Sequence, residues 1–177
     1  MRPWGSSERD IIRRAQEGDR AAITVLWDAH TPKLYGYLCH TLRDPVIAED
    51  VLQQTWVQAM EALGGYRDRG VPFHAWLFAI ARNVCRQHWR TLGREVPLDL
   101  ETHDVPAPNR NHDAVLTVDA ALRTLTEEDR ELLRLRYIAD LPIASVARVL
   151  GIRPITARVR LHRTLRRARA ALETHHV

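Results

Sequence analysis

Residues 142–170, PIASVARVLGIRPITARVRLHRTLRRARA, decide the fold. Ile143, Val146, Ala147 and Leu150 keep helical spacing up to Gly151-Ile152, and a second helical run opens at Pro154 with Ile155, Val159, Leu161 and Leu165. A two-turn helix, a tight corner with glycine and a longer second helix predict a helix-turn-helix. Pro154 suits the first turn of the second helix, where its missing N–H would have no intrahelical partner and its φ is already helical. The stretch carries Arg148, Arg153, Arg158, Arg160, Arg163, Arg166, Arg167 and Arg169, with no Asp or Glu between Leu141 and Glu173. Guanidinium groups this dense repel one another unless they are solvated or set against phosphates. A solvated basic helix is the plain alternative. The coincidence with a corner motif whose second helix enters the major groove points instead to DNA.

At 177 residues and 45% apolar composition, the chain can hold one large or two small domains. Few glycines, almost no alternating runs and long Ala/Leu/Arg segments predict an all-α protein. No run is long and apolar enough for a membrane helix and the N-terminus does not open a signal peptide, so a cytoplasmic protein is expected. Cys39 and Cys85 form no CxxC pair, and reduced thiols are expected. Cys85 and His88 share a helical face and could be half a metal site, but a core thiol beside a polar edge is the simpler reading, so no metal is expected. There is no Gly-rich phosphate loop, nucleophile elbow or HExxH, and neither an enzyme nor a cofactor is expected. Residues 1–92 carry twelve basic and ten acidic side chains, 93–113 two and five, and 114–177 twelve and seven. This alternation divides the chain into two lobes and a connector.

Ser7 is a candidate N-cap for a short helix bearing Ile11, Ile12 and Ala15 that stops at Gly18, and Asp19 can cap the next, which runs to about Leu42 with Pro32 expected to kink or divide it. Asp44-Pro45 restarts the chain. Ile47, Ala48, Val51, Leu52, Thr55, Ala59 and Leu63 then give a dry face, while Glu49, Asp50, Gln53 and Gln54 make an acidic, amide-rich one. Gly64-Gly65 ends that helix, a charged loop follows (Arg67, Asp68, Arg69), and Pro72 opens a helix whose stripe is Phe73, Trp76, Leu77, Ile80, Ala81 and Val84. The interleaved His74, Arg82, Asn83, Arg86, His88, Trp89 and Arg90 fit either a solvated rim around a core or a platform for unstacked bases, and spacing does not choose. Residues 93–111, with three prolines and four carboxylates, read as an extended tether. Helical periodicity resumes near His112 with Val115, Val118, Leu122 and Leu125, and Thr126-Glu-Glu-Asp129 resembles a capping box before Leu132, Leu133, Leu135 and Tyr137.

Three stretches, DPVIAEDVLQQTW (44–56), FHAWLFAIARN (73–83) and LRTLTEEDRELLRLRY (122–137), together with the helix-turn-helix, closely resemble a bacterial RNA polymerase sigma factor of the extracytoplasmic function (ECF) group, in the sigma-70 family. The likeness runs from about Asp19 to Ala170 in the family's order. It implies two small helical domains joined by an extended linker: residues 1–92 resembling sigma region 2, the acidic linker 93–111, and residues 112–177 resembling the helix-turn-helix region 4. No third domain is expected after His175.

By this resemblance the first domain docks on the β′ clamp of core polymerase through Glu49, Asp50, Gln53 and Trp56. It would capture the minus-10 element as single-stranded DNA through the Gly65 to Val71 loop, with Tyr66 and Arg67, and through Phe73, Trp76, Arg82, Asn83 and Arg86; Trp76 reads equally as core. The second domain would place the Pro154 helix in the minus-35 major groove and contact the β flap. Arg158, Val159, His162 and Arg163 would face bases, and Arg153, Thr156 and Arg160 would hold phosphates. The family commonly has Glu or Gly before the Thr of the recognition helix, whereas here Pro154 and Ile155 precede Thr156, and it commonly has Ala where Thr164 stands, so base preference follows less directly than docking mode. The implied function is promoter recognition and transcription initiation with core polymerase and promoter DNA as partners, and an anti-sigma factor as a further one. A stand-alone helix-turn-helix regulator is the alternative; it leaves the 44–56 face without a task.

Overall fold

The computed structural model describes residues 8–68, 70–91 and 121–174, and every regular element among them is helical. The N-terminal domain contains α1 (Glu8–Gln16), α2 (Arg20–Leu42), α3 (Pro45–Leu63) and α4 (Phe73–Thr91). In the C-terminal domain α5 (Glu127–Leu133) continues into a π-helical turn (Arg134–Ile138), followed by α6 (Ile143–Leu150) and α7 (Pro154–Thr174). The expected cap at Ser7, the tether 93–111 and the start of the helix near His112 lie outside the described residues.

Short polar side chains set the helix starts. The Asp19 carboxylate accepts from the Ala21 and Ala22 N–H groups at 2.9 and 3.3 Å, and Asp44 accepts from Val46 and Ile47 at 2.9 and 3.2 Å, ahead of Pro45, which has no N–H to satisfy. Such caps are worth about 1 kcal/mol each. Pro32 does not divide α2, which is one helix from Arg20 to Leu42. Proline removes a single backbone bond there, and Leu26 and Leu34, both buried on either side of it, hold the helix to the core.

The core centres on α2 and α4, where Tyr37 and Phe78 meet edge to face with centroids 5.4 Å apart. It runs without a break into the C-terminal domain, since Leu132, Leu135, Ala139, Leu141, Val146 and Val149 belong to the same buried cluster. The sequence predicts two bodies; it does not predict that they pack together, with α4 on α6 and α2 on the π-helical turn. Polar bonds cross the seam: the buried Tyr37 hydroxyl donates to Glu131 Oε1 at 2.6 Å, His74 Nε2 lies 2.9 Å from Ser145 Oγ, and Lys33 Nζ reaches Asp140 at 2.8 Å. Glu131 also pairs with Arg134 at 3.1 Å and stands 3.7 Å from Arg82. Arg134, nearly fully buried, binds Glu127 as well. These buried charges are therefore paired, as an interior requires.

Candidate nucleic-acid interface

The helix-turn-helix is built from its corner outward. Gly151 sits at φ 70° and closes α6 by donating its N–H to the Ala147 and Arg148 carbonyls, while the Ile152 N–H reaches Ala147 O at 2.9 Å. That is a Schellman-type stop, which needs the left-handed region glycine enters without strain. α7 buries Ala157 and Thr164 and turns the opposite side outward, so that Ile155, Val159, His162 and Arg166 form one solvent-facing ridge at i, i+4, i+7 and i+11. Arg153, Thr156, Arg158 and Arg163 are exposed beside it. Among the described residues Arg153, Arg158, Arg163 and Arg166 pair with no carboxylate, which leaves their charge available to an anion.

Arg160 is placed differently from the expectation that it holds a phosphate. It is turned toward α5, with Nε 2.7 Å from Asp129 Oδ1 and Nη2 2.5 Å from Glu128 Oε2; Arg167 adds a 3.3 Å contact to Asp129. Asp129 lies in the first turn of α5, where Thr126 Oγ1 accepts its N–H at 3.2 Å and the helix N-terminus favours negative charge. Burial alone would raise the Asp129 carboxyl, but the hydrogen bond and charge of Arg160 outweigh it and leave the group below its usual range. Arg160 thus braces the recognition helix against α5. The sequence gives one run of like arginines, and only the packing separates the brace from the free cations.

On α3, Glu49, Asp50 and Gln53 are exposed on one face. Val46 and Val57, 70% and 57% exposed, extend the line through Asp50 and Gln53 at i, i+4, i+7 and i+11. They are the functional candidates that pattern reading missed; two valines on the wet side of an amphipathic helix were the available signal. Trp56, grouped with the docking residues by resemblance, is instead 2% exposed and turned to α2. Its ring lies 4.8 Å from that of Trp27 and its Nε1 donates to Thr31 Oγ1 at 3.1 Å. A docking face cannot use a ring already spent in this way.

The minus-10 candidates divide likewise. Tyr66 and Phe73 are buried and pack on each other and on the half-buried Trp76, with centroids 5.6, 5.0 and 5.4 Å apart, so neither offers a free ring face for a base. Their role is to root the loop on α4. Tyr66 donates its hydroxyl to Val71 O at 2.8 Å, and Gln16 Nε2 holds the Leu63 and Tyr66 carbonyls at 2.9 Å each. Arg67 is exposed, though its guanidinium donates to the Gly64 and Tyr66 carbonyls. Asn83 and Arg86 are exposed along α4, and Arg90 continues their line. Arg82 is half-buried and faces Glu131. Behind the cluster His30, 5.2 Å from the Phe73 ring, is pushed down to about 4 by burial and then by the nearby His74 and Lys33. No group of three or more metal-ligating side chains occurs among the described residues, and Cys85 is buried in the core.

The Sigma-70 region 2 family matches residues 26–95 and the Sigma-70 region 4 family matches residues 116–172. The ECF RNA polymerase sigma factor ShbA of Streptomyces griseus is 33% identical over 181 residues, covering 92% of this chain and 94% of its own. This chain belongs to the ECF sigma factors. Solved relatives carry the same fold: CnrH, in complex with the cytosolic domain of CnrY, superposes with a TM-score of 0.72 at 25% identity over 96% of this chain and 99% of its own. The sigma factor RpoE from Bartonella quintana, in complex with the anti-sigma factor NepR, gives 0.70 at 23% over 85% and 96%. As a sigma factor the protein binds core RNA polymerase and directs promoter recognition and transcription initiation, with regions 2 and 4 as its two domains. No helix among the described residues is long and apolar enough to cross a membrane.

Proposed function

We propose the following division of labour within this sigma factor. Glu49, Asp50 and Gln53, flanked by Val46 and Val57, dock on the polymerase β′ clamp. The exposed Arg67, Asn83 and Arg86, joined by Arg82 once it leaves Glu131, hold the minus-10 strand. The α7 ridge, with Arg158 and Arg163 beside it, reads the minus-35 element, and Arg153 and Thr156 meet its phosphates. The observation that carries this reading is the recognition helix, whose ridge stands clear of the core with four uncompensated arginines around it. The protein supplies binding energy and no bond-breaking chemistry, and it acts in the cytoplasm where the polymerase is.

The packed arrangement of the domains is the unengaged state. Minus-10 and minus-35 elements lie about 85 Å apart on B-DNA at ~3.4 Å per base pair. A compact chain of 177 residues has a radius of gyration of about 16 Å, so one packed body cannot reach both. Engagement therefore requires the α4–α6 seam to open. An anti-sigma factor, such as the one the similar RpoE is seen with, would control the protein by holding its exposed faces.

Run-off transcription with purified core polymerase tests the assignment. The wild type should yield promoter-dependent product, and Arg158→Ala and Arg163→Ala should each cost about 1–3 kcal/mol of promoter discrimination. Unchanged discrimination in both would remove α7 from the reading.

A further inference from the structure

The most exposed large apolar side chain at the start of α7 is Ile155, 62% accessible in the first turn of a helix otherwise lined by arginine. It stands on the outward ridge with Val159, 44% exposed one turn on. In a helix-turn-helix the N-terminal residues of the second helix reach the base edges. The thymine C5-methyl is the one apolar group that base pairs present in the major groove, and only an apolar side chain gains by covering it. We infer that Ile155 is a specificity-determining residue that reads a thymine methyl in the minus-35 element, an inference resting on the minus-35 assignment of α7 above.

Two features make the side chain ready for that contact. Pro154 fixes the backbone immediately before it, and a β-branched side chain in a helix keeps essentially one χ1 rotamer, so little freedom is lost on docking. Behind the ridge, Arg160, on the following turn of α7, ties that helix to Asp129 and Glu128, which holds the depth and rotation at which Ile155 meets the groove. The flanking Arg158 and Arg163 supply attraction to phosphates and purine edges but gain nothing from a methyl group.

The test uses holoenzyme reconstituted from core polymerase and the full chain. Binding sites are selected from promoters with a randomised minus-35 block, and each selected thymine is then replaced singly by uracil, which removes the methyl alone. At one position uracil should weaken wild-type holoenzyme about four-fold, the equivalent of one methyl-sized group left in water. Ile155→Ala should bind the thymine promoter correspondingly less well and no longer distinguish the two bases, while Ile155→Val should restore the distinction. Circular dichroism and core binding of the variants should match the wild type. The inference is overturned if wild type ignores uracil at every position, or if Ile155→Ala keeps the full thymine preference. Selection of no minus-35 block at all would instead remove the minus-35 assignment itself, and this inference with it.

Discussion

Taking one oxygen atom from Tyr37 should loosen the two domains without disturbing either. The residue is fully buried, and its hydroxyl donates to Glu131 across the seam at 2.6 Å. Burial, then the adjacent Glu131 charge, holds the phenol well above its ordinary value, so it stays a donor throughout the accessible pH range. In Tyr37→Phe the ring and its edge-to-face contact with Phe78 remain, and Glu131 is not orphaned because Arg134 lies 3.1 Å away. A hydrogen bond to a charged group is worth about 1.5–3 kcal/mol, and with Glu131 still partnered the lower part of that range applies. The closed-to-open ratio should therefore fall by roughly 10- to 30-fold, since ~1.4 kcal/mol is a factor of ten. Native-state hydrogen exchange reads this directly: amides of the α4–α6 seam and the π-helical turn should exchange ten-fold or more faster, while those of α2 and α3 facing away from it keep their protection. If core polymerase takes only the open form, its apparent affinity rises by up to the same factor. Exchange that accelerates uniformly over both domains would identify the seam as ordinary core that opens only on global unfolding; unchanged exchange would show that the bond holds nothing.

Further outcomes follow from the same geometry. Val57→Asp should weaken core binding ten-fold or more with little change in melting temperature, because Val57 is 57% exposed; Trp56→Ala should instead destabilise the fold by about 3–5 kcal/mol, and equal effects from the two would contradict the division made along α3. Arg160→Ala should lower the melting temperature and leave the salt dependence of promoter binding nearly unchanged, whereas Arg153→Ala should reduce the salt slope by about 1 and leave stability alone. His30 is neutral in the fold down to about 4 but takes a proton near 6.5 when unfolded. The unfolded chain therefore binds the extra proton between those values, and stability falls as pH drops through that window. His30→Gln should flatten the slope of melting temperature against pH there, and an unchanged slope would show that its burial is not responsible.

Much of the fold is legible because local chemistry and tertiary packing agree. Asp19 and Thr126 cap as their positions predict, the restart at Asp44-Pro45 is a helix start capped by Asp44, and Gly151 stops α6 with the positive φ its place in the motif implies. Periodicity is a statement about one helix, however, and the missed features concern two. Trp56 is assigned to a docking face by family resemblance, yet Thr31 and Trp27 on another helix decide where its ring goes. Tyr66 and Phe73 are assigned to the minus-10 strand by family resemblance, spacing alone leaving the platform open, but three aromatics brought together by the loop and α4 bury one another. Arg160 cannot be told from Arg158 by charge; Asp129, thirty-one residues away, separates them. Val46 and Val57 are visible in the sequence only as exceptions to a pattern.

The ion network at the seam explains how a closed chain can remain usable. Glu131 holds Tyr37 and Arg134 closely but Arg82 only at 3.7 Å. On the division of labour proposed above, opening would break the Tyr37 bond together with this weaker Arg82 pair, and Arg82, 28% exposed at its side chain, would pass from a carboxylate to a phosphate of the minus-10 strand. Its charge is compensated on both sides of the exchange. Glu131 retains Arg134, which is anchored to Glu127 within the same helix, so the C-terminal domain keeps its buried charges paired when it swings away. What opening would sacrifice is then the Tyr37 bond, the His74–Ser145 and Lys33–Asp140 contacts, and the apolar packing that Leu132, Leu135, Val146 and Val149 share with the first domain. The α3 face and the α7 ridge are solvent-exposed before the seam opens, so on the proposed reading first contact with polymerase would not wait for opening, while reaching both promoter elements would require it. On that reading, contacts made during docking would offset the apolar surface lost, and DNA would take up Arg82 last.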